Sequence, residues 1–472
     1  MAQGVLPPII QGGMGVAVSD WRLARAVSTR GQLGVVSGTA IDSVLVRRLQ
    51  DGDIGGHMRR AMAAFPVPGV AAEALKRYFL PEGTRGDKPY AMLPMYRQKV
   101  TAMRNALSVL GAFVEVHLAK EGHEGMVGIN LLTKIQMPNL ALLYGAMLAG
   151  VDVVLMGAGI PREIPPALDR MVEHQPAELR LEVAGESAAA PEFIRFDPME
   201  IWGDTPPPSL TRPRFFPIVA SNSLATMFAR KGGGKIDGLV IEGPTAGGHN
   251  APPRGEPTFN ERGEPVYGPR DEVDLAKIAE LGLPFWVAGG MGSAEQLRRV
   301  QAQGATGIQV GTLFAFCEDS GLNPELRASV LRRAAKAEVD VLTSAQASPT
   351  GYPFKVVRWD DDPALHHDRS RVCDLGYLRT AYREPDGGIG YRCASEPEDQ
   401  YMKKGGTMEE TVGRQCLCNG LMANIGMGQV RDNGLEPPLL TSGDDLKAIA
   451  RFLRGRDSYS AADVLEALLA PA

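Results

Sequence analysis

Residues 284–312 read PFWVAGGMGSAEQLRRVQAQGATGIQVGT. A short apolar run, 284–288, leads into Gly289-Gly290; a helical pattern follows over 294–302; a second apolar run, 307–310, ends at Gly311-Thr312. Short apolar runs bounded by glycine and separated by an amphipathic stretch read as one β-α-β unit. Both runs are nearly continuous in their apolar character rather than alternating, as strands buried on both faces of a parallel sheet are. Glycine directly after each run brings bare backbone to the strand ends, where a ligand can approach closely.

Working outward, the same unit recurs. PPIIQ (7–11), LGVVS (33–37), MVGINLL (126–132), VDVVLM (151–156), FFPIVA (215–220) and GLVIE (238–242) bring the strands to eight. Helical patterns lie between them. Ser19 stands as an N-cap before Trp21, Leu23, Ala24 and Val27, with Gly31 as the stop, and further patterns cover 139–148, 165–174 and 275–281. Eight strands of this kind point to an α/β fold, a closed (β/α)8 TIM barrel, in preference to a doubly wound open sheet. The barrel is expected over 1–322, with insertions at about 41–111 and 178–212. The second insertion carries hairpin-like alternation over 181–197, with its turn at 185–190. From 323 to 472 the alternation stops, and a C-terminal cysteine-containing subdomain is expected.

A chain of 472 residues with 44% hydrophobic content holds a barrel of roughly 250 residues with substantial additions. A net charge of −5 gives no basic stripe, which argues against nucleic acid as a partner. The first ten residues do not read as a secretion signal, and no apolar run reaches the roughly 20 residues a bilayer demands. A soluble, cytoplasmic protein without membrane partners is therefore expected. Five cysteines are too few for a disulfide framework in a chain of this length.

In a (β/α)8 barrel the active site lies at the C-terminal ends of the strands. Those ends read Gln11-Gly12-Gly13-Met14, Gly38-Thr39, Gly128-Ile129-Asn130, the run 242–249 (EGPTAGGH), Gly289-Gly290-Met291 and Gln309-Val310-Gly311-Thr312. Glycines after strands seven and eight suit a phosphate held by backbone N–H groups. Gly12-Gly13-Met14 would let a flat ring lie on bare main chain, while Asn130 and Gln309 offer polar groups to its edge. That combination matches the shape of FMN.

The run PIIQGGMG, the GIN triplet, AGGH, VAGGMGS and GIQVGT together resemble the nitronate monooxygenase (2-nitropropane dioxygenase) family, which also includes flavin-dependent enoyl-thioester reductases. The resemblance spans about 7–320, apart from the two insertions. It implies an FMN-dependent oxidoreductase, with FMN held by Gly12, Gly13, Met14, Asn130, Gly289, Gly290, Gln309, Gly311 and Thr312, and His249 facing substrate. On that basis the chain oxidises nitronates or related carbon acids with O2, with His249 as acid/base. The alternative is an FMN-dependent enoyl-thioester (enoyl-ACP) reductase of a fatty-acid or polyketide pathway, with NAD(P)H as donor and an acyl carrier protein or synthase as partner. The tail segments SPTGYPFKVV, CDLGYL and CLCNGL resemble the longer branch, similar to reductases that accompany polyunsaturated fatty acid synthases. After His249 the chain departs from compact members, reading NAPPRG with further prolines before Asp271, which bears on substrate more than on cofactor.

Histidine titrates near neutrality, so His249 suits proton transfer at carbon. Lys134 reads as a surface lysine or a charge near the flavin; Glu242 as a structural carboxylate or a partner of ribityl or His249. His57, His117, His123 and His174 read as surface groups, and His366-His367 beside Asp360-Asp361-Asp362 as a solvated loop. Cys373, Cys393, Cys416 and Cys418 in one tail are candidate ligands of a structural zinc or iron–sulfur cluster, although C-x-C departs from the usual C-x2-C knuckle. Cys317 reads as core. Met156-Gly157-Ala158-Gly159 lacks the third glycine of a dinucleotide fingerprint, and 231–235 (KGGGK) lacks phosphate-loop spacing. No H-E-x-x-H or G-x-S-x-G motif is present.

Overall fold

The computed structural model describes residues 6–185, 191–231, 233–359 and 369–471. His366-His367, their acidic run and most of the expected hairpin turn lie outside these residues. The strands, in chain order, are β1 (Ile9–Gln11), β2 (Gly34–Ser37), β3 (Val127–Leu132), β4 (Val153–Gly157), β5 (Ala177–Leu181), β6 (Val183–Ala184), β7 (Glu192–Phe196), β8 (Arg214–Val219), β9 (Leu239–Glu242), β10 (Phe285–Ala288), β11 (Gly307–Val310), β12 (Asp340–Ser344), β13 (Phe354–Arg358), β14 (Thr380–Arg383), β15 (Ile389–Arg392), β16 (Val430–Arg431) and β17 (Gly434–Leu435). Eight of them form one parallel sheet in the order β1-β11-β10-β9-β8-β4-β3-β2. The Ile10–Leu33 bridge closes it, with Gln11 N donating to Leu33 O at 2.9 Å and Leu33 N to Ile9 O at 3.1 Å. The eight strands are the eight expected, and the fold is a (β/α)8 barrel.

Closure explains the near-continuous apolar strands, because each buries both faces. Ile10, Leu33, Val35, Val153, Leu155, Phe216, Val240 and Trp286 fill the interior, with Phe216 stacked on Trp286 at 4.9 Å. Trp286 Nε1 is satisfied inside by Pro7 O at 3.0 Å. The opposite faces pack under the helices in a second, larger apolar cluster. The plug leaves the C-terminal rim as the place where the barrel opens.

The stretch 41–111 carries helices at Ile41–Gln50, His57–Ala63 and Val70–Tyr78 and an irregular segment over 79–101, and the Ala102–Lys120 helix runs beyond its expected end to pack against the Asn139–Leu148 and Trp21–Ser28 helices on the barrel wall. In the second insertion β5 pairs antiparallel with β7, starting at 177 rather than 181, and β6, one residue further on, leaves to pair with β14 of the tail. Ser19 does not cap the first helix. Asp20 does, accepting from Arg22 N and Leu23 N. Tail residues such as Val330, Val357, Leu446 and Leu468 share the apolar cluster of the barrel helices. Among the described residues no helix is long and apolar enough to cross a membrane.

Candidate active site

Gly12, Gly13, Met14, Asn130, His249, Gly289, Gly290, Gln309, Gly311 and Thr312 all line one cavity at the C-terminal rim. Ser19, freed from capping, organises the loop after β1. Its hydroxyl donates to Gly12 O and accepts from Met14 N and Gln11 Nε2, each at 2.9 Å. Gly13 lies so close to β3 that a Cβ there would sit 2.3 Å from Asn130 Cβ. Across the mouth Gly289 and Gly290 have φ of +92° and +66°, which turns the chain sharply after β10. Among the described residues their amides donate no main-chain hydrogen bond.

Two polar groups are left over. Gln309 Oε1 is buried without a partner, and Asn130, only 7% exposed, makes no side-chain hydrogen bond among the described residues. Buried polar atoms are normally satisfied, so an orphan at a cavity wall marks where a ligand donates. Bare main chain on two sides, free amides at one end and unspent polar atoms along the wall fit FMN. Thr312 departs from this pattern, because its Oγ1 accepts from Gly443 N at 3.1 Å and lies 3.4 Å from Ser442 Oγ.

The tail supplies the other half of the wall. Thr441 Oγ1 accepts from Gly248 N at 2.9 Å and Asp444 N donates to Thr245 O at 3.1 Å, so the 441–445 segment is strapped to the β9 loop. Asp445 faces the cavity, and burial, reinforced by Asp444, raises its carboxyl above the usual range. Leu378, Leu417, Cys418, Leu421 and Phe354 give this side an apolar lining.

His249 is clamped by β13. Lys355 N donates to Gly248 O at 3.0 Å, Asn250 N to Pro353 O at 2.9 Å, and Phe354 meets the imidazole edge-on at 4.8 Å. Its Nε2 lies 2.7 Å from Ser348 Oγ, a side chain that is fully buried. Burial, with Lys134 adding to it, pushes the imidazole down to about 3, so it is neutral near pH 7. Lys134 itself is half-buried, its Nζ over the Tyr352 ring and donating to Thr350 Oγ1 at 3.3 Å. Burial pushes it down to about 7 against the pull of Glu182. Glu242, at the end of β9, is pushed up to about 7 by burial and also lines a smaller neighbouring cavity with Arg254 and Tyr267.

With this geometry in place, the sequence of the rim can be set beside known proteins. Residues 214–354 match the nitronate monooxygenase family. The matched segment opens at β8, includes His249, the glycine pair after β10 and Gly311 after β11, and ends at Phe354, which packs on His249. A putative nitronate monooxygenase of Saccharomyces cerevisiae is 30% identical over 162 residues, 32% of this chain. The match spans 37% of that relative's length. Looser structural likenesses run along 98% of the chain. They include FabK from Thermotoga maritima (17% identity, TM-score 0.46, 92% of that chain) and a nitroalkane oxidase from Streptomyces ansochromogenes (16% identity, TM-score 0.46, 95% of that chain).

The expected metal centre finds no support in the structure. Among the described residues no group of three or more His, Cys, Asp or Glu is arranged to hold a metal ion. Cys416 and Cys418 stand at the start of the Leu417–Ala423 helix, Cys418 lining the barrel mouth and Cys416 an outer cavity, and both lie close enough to Cys373 to interact with it electrostatically. Cys373 is hydrogen-bonded to Cys393, which together with burial holds its thiol well above the ordinary range. Burial also raises Cys416, to about 11, and Cys418. His57, His117, His123 and His174 are partly exposed, and none lines the cavity; His174 bonds Tyr144 Oη at 2.7 Å. Sequence reasoning missed Ser348, Thr350 and the 441–445 strap. SPTG and TSGDD are hydroxyl-rich loop sequences, but nothing local says which loop they approach.

Proposed function

We propose that this chain is an FMN-dependent oxidoreductase of the nitronate monooxygenase kind, oxidising nitronates or related carbon acids with O2 at the barrel mouth. The observation that carries the reading is the convergence of glycine-rich strand ends, an orphaned Gln309 Oε1 and a buried neutral His249 on one cavity. The family match over 214–354 and the name of the yeast relative support it. Gly289, Gly290 and Gly311 would hold the phosphate, Gly12, Gly13 and Met14 the ring face, and Asn130 and Gln309 its polar edge, with Thr312 acting on the site through the strap. Bound flavin supplies the redox chemistry, accepting electrons from substrate and returning them to oxygen.

The chain's own residues do the rest. A nitronate is already an anion, so His249 is needed as a hydrogen-bond donor to its oxygens, and a neutral imidazole donates one N–H in that role. Phe354, packed edge-on against it, excludes water beside it, which strengthens that bond. The apolar tail wall is larger than a small nitronate requires, and it favours a second reading: reduction of an enoyl thioester, with NAD(P)H as donor and a carrier-bound acyl chain as substrate. There His249 would give a proton to the carbon beside the thioester.

The test is flavin content followed by anaerobic mixing. Yellow protein bleached by ethyl nitronate and reoxidised by air supports the first reading, and bleaching by NAD(P)H with turnover of crotonyl thioester supports the second. His249→Ala should keep FMN and lose turnover about 10²–10⁴-fold. Colourless protein that takes up no FMN on reconstitution would end both.

A further inference from the structure

The imidazole of His249 is one end of a chain of hydrogen bonds that leaves the cavity. Its Nε2 lies 2.7 Å from Ser348 Oγ, Ser348 Oγ lies 2.8 Å from Thr350 Oγ1, and Lys134 Nζ donates to Thr350 Oγ1 at 3.3 Å. Lys134 comes from the loop after β3, His249 from the loop after β9, and the two hydroxyls from the loop before β13. We propose that Lys134 is the proton store of this site, exchanging a proton with the substrate carbon through Thr350, Ser348 and His249. The proposal rests on the reading of the cavity as a place where carbon is protonated or deprotonated.

Each link is fixed by something other than the proton path. Ser348 is fully buried and its carbonyl accepts from Arg414 Nη1 at 2.7 Å, while Thr350 N donates to Ser348 Oγ at 3.2 Å. Ser348 therefore has little freedom to turn away from His249. The ring lines the cavity, and Nδ1 has no partner among the described residues. With Nε2 accepting from Ser348, the Nδ1–H faces substrate.

A neutral buried imidazole cannot store a proton, because burial and the Lys134 charge both oppose the imidazolium. It can pass one. When a carbanionic carbon is protonated, its electron pair takes the Nδ1 proton to form the C–H bond. Nε2 takes the Ser348 proton, Ser348 takes that of Thr350, and Thr350 takes one from the Lys134 ammonium, leaving an amine. The charge change ends on Lys134, and the deprotonation of a carbon acid is the reverse. Lys134 is pushed down to about 7 by burial, so both of its forms are present near neutrality. The groups facing it are Glu182, which works the other way, the Tyr352 ring, Thr350 and His249.

The test follows turnover of FMN-loaded wild type, Lys134→Met, Thr350→Val and Thr350→Ser across about pH 5 to 9. Lys134→Met and Thr350→Val should lower kcat at least about tenfold with KM little changed and remove the inflection near pH 7, and Thr350→Ser should restore both. The sign is set by direction: carbon protonation needs the ammonium and fades above that pH, whereas deprotonation needs the amine and fades below it. An unchanged pH profile in Lys134→Met overturns the proposal. A second measurement holds even if the wild type turns over neither substrate, a result that would count against the functional reading alone. Imidazole ¹⁵N shifts of His249 in the full-length protein should move as Lys134 titrates, and Thr350→Val should leave only the smaller movement that the Lys134 charge produces through space. An undiminished movement in Thr350→Val sinks the relay.

Discussion

Gly12 and Gly13 are adjacent, both line the mouth, and neither has a positive φ, yet alanine at each should act differently. At Gly13 the new Cβ would lie 2.3 Å from Asn130 Cβ and 3.2 Å from Val35 Cγ1, against an ordinary carbon–carbon contact of about 3.5–4.0 Å. Relief needs a shift of more than about 1 Å between the β1 loop and β3, both anchored in the barrel wall. Overpacking of this kind costs about 1–3 kcal/mol. With an unfolding entropy of roughly 1 kcal/mol per kelvin for a chain of this length, Tm should fall about 1–3 °C. Because the shift moves Asn130, FMN affinity should fall at least about tenfold, equivalent to about 1.4 kcal/mol. At Gly12 the nearest atoms lie at 3.5–3.7 Å, ordinary contact, so Gly12→Ala should melt with the wild type. Its methyl group narrows the cavity, and FMN affinity should fall about tenfold without a stability change. Thermal unfolding of the apo variants, paired with FMN titration followed by fluorescence, reads both quantities. Gly13→Ala with wild-type Tm and affinity would refute the argument from close approach, and Gly12→Ala with wild-type affinity would remove that residue from the cofactor floor.

Folded His249 is pushed down to about 3 from an ordinary 6.5, so its contribution to stability is full above pH 6.5 and is lost as pH falls toward 3. By pH 5 the loss is about 2 kcal/mol, and His249→Gln should show a correspondingly smaller drop in urea unfolding free energy between pH 8 and pH 5. Glu242 runs the other way: its folded value is raised to about 7, so stability is full below about 4.5 and is lost as pH rises through 7. Glu242→Gln should therefore gain stability at pH 8, by at most about 3 kcal/mol, and a loss there would contradict the burial argument. Gly443→Ala, whose Cβ would meet Thr312 Oγ1 at 2.9 Å and Thr245 O at 3.0 Å, should lift the strap and weaken FMN binding, measured by titration. Chelator treatment should leave Tm unchanged, and thiol titration of denatured protein should count five free cysteines.

The barrel was legible because its signal is local. Apolar runs such as FFPIVA and FWVA declare strands buried on both faces, and eight of them with helices between have few other ways to close. The lining of the rim cavity was legible for the same reason, since residues after each strand must gather at one end once the sheet closes. Ser19 and the 177–181 strand were misread because propensity marks an element while neighbours fix its limits: Asp20 outcompeted Ser19 as cap, and Ser19 was drawn to the Gly12 carbonyl.

The tail was only partly legible. Four cysteines in one segment suggested a shared metal, whereas among the described residues no group of three or more is arranged to hold one. Ser348 is 99 positions from the imidazole it bonds, and Gly443 is 131 from the Thr312 hydroxyl it occupies. The amino-acid order determined the closed sheet and the ten residues at its rim, because both follow from short-range pattern and barrel geometry. Only the folded chain decided that His249 is neutral, that Lys134 is joined to it and that the tail walls the mouth. Burial and long-range contact set those properties, and neither is written in any single stretch of the chain.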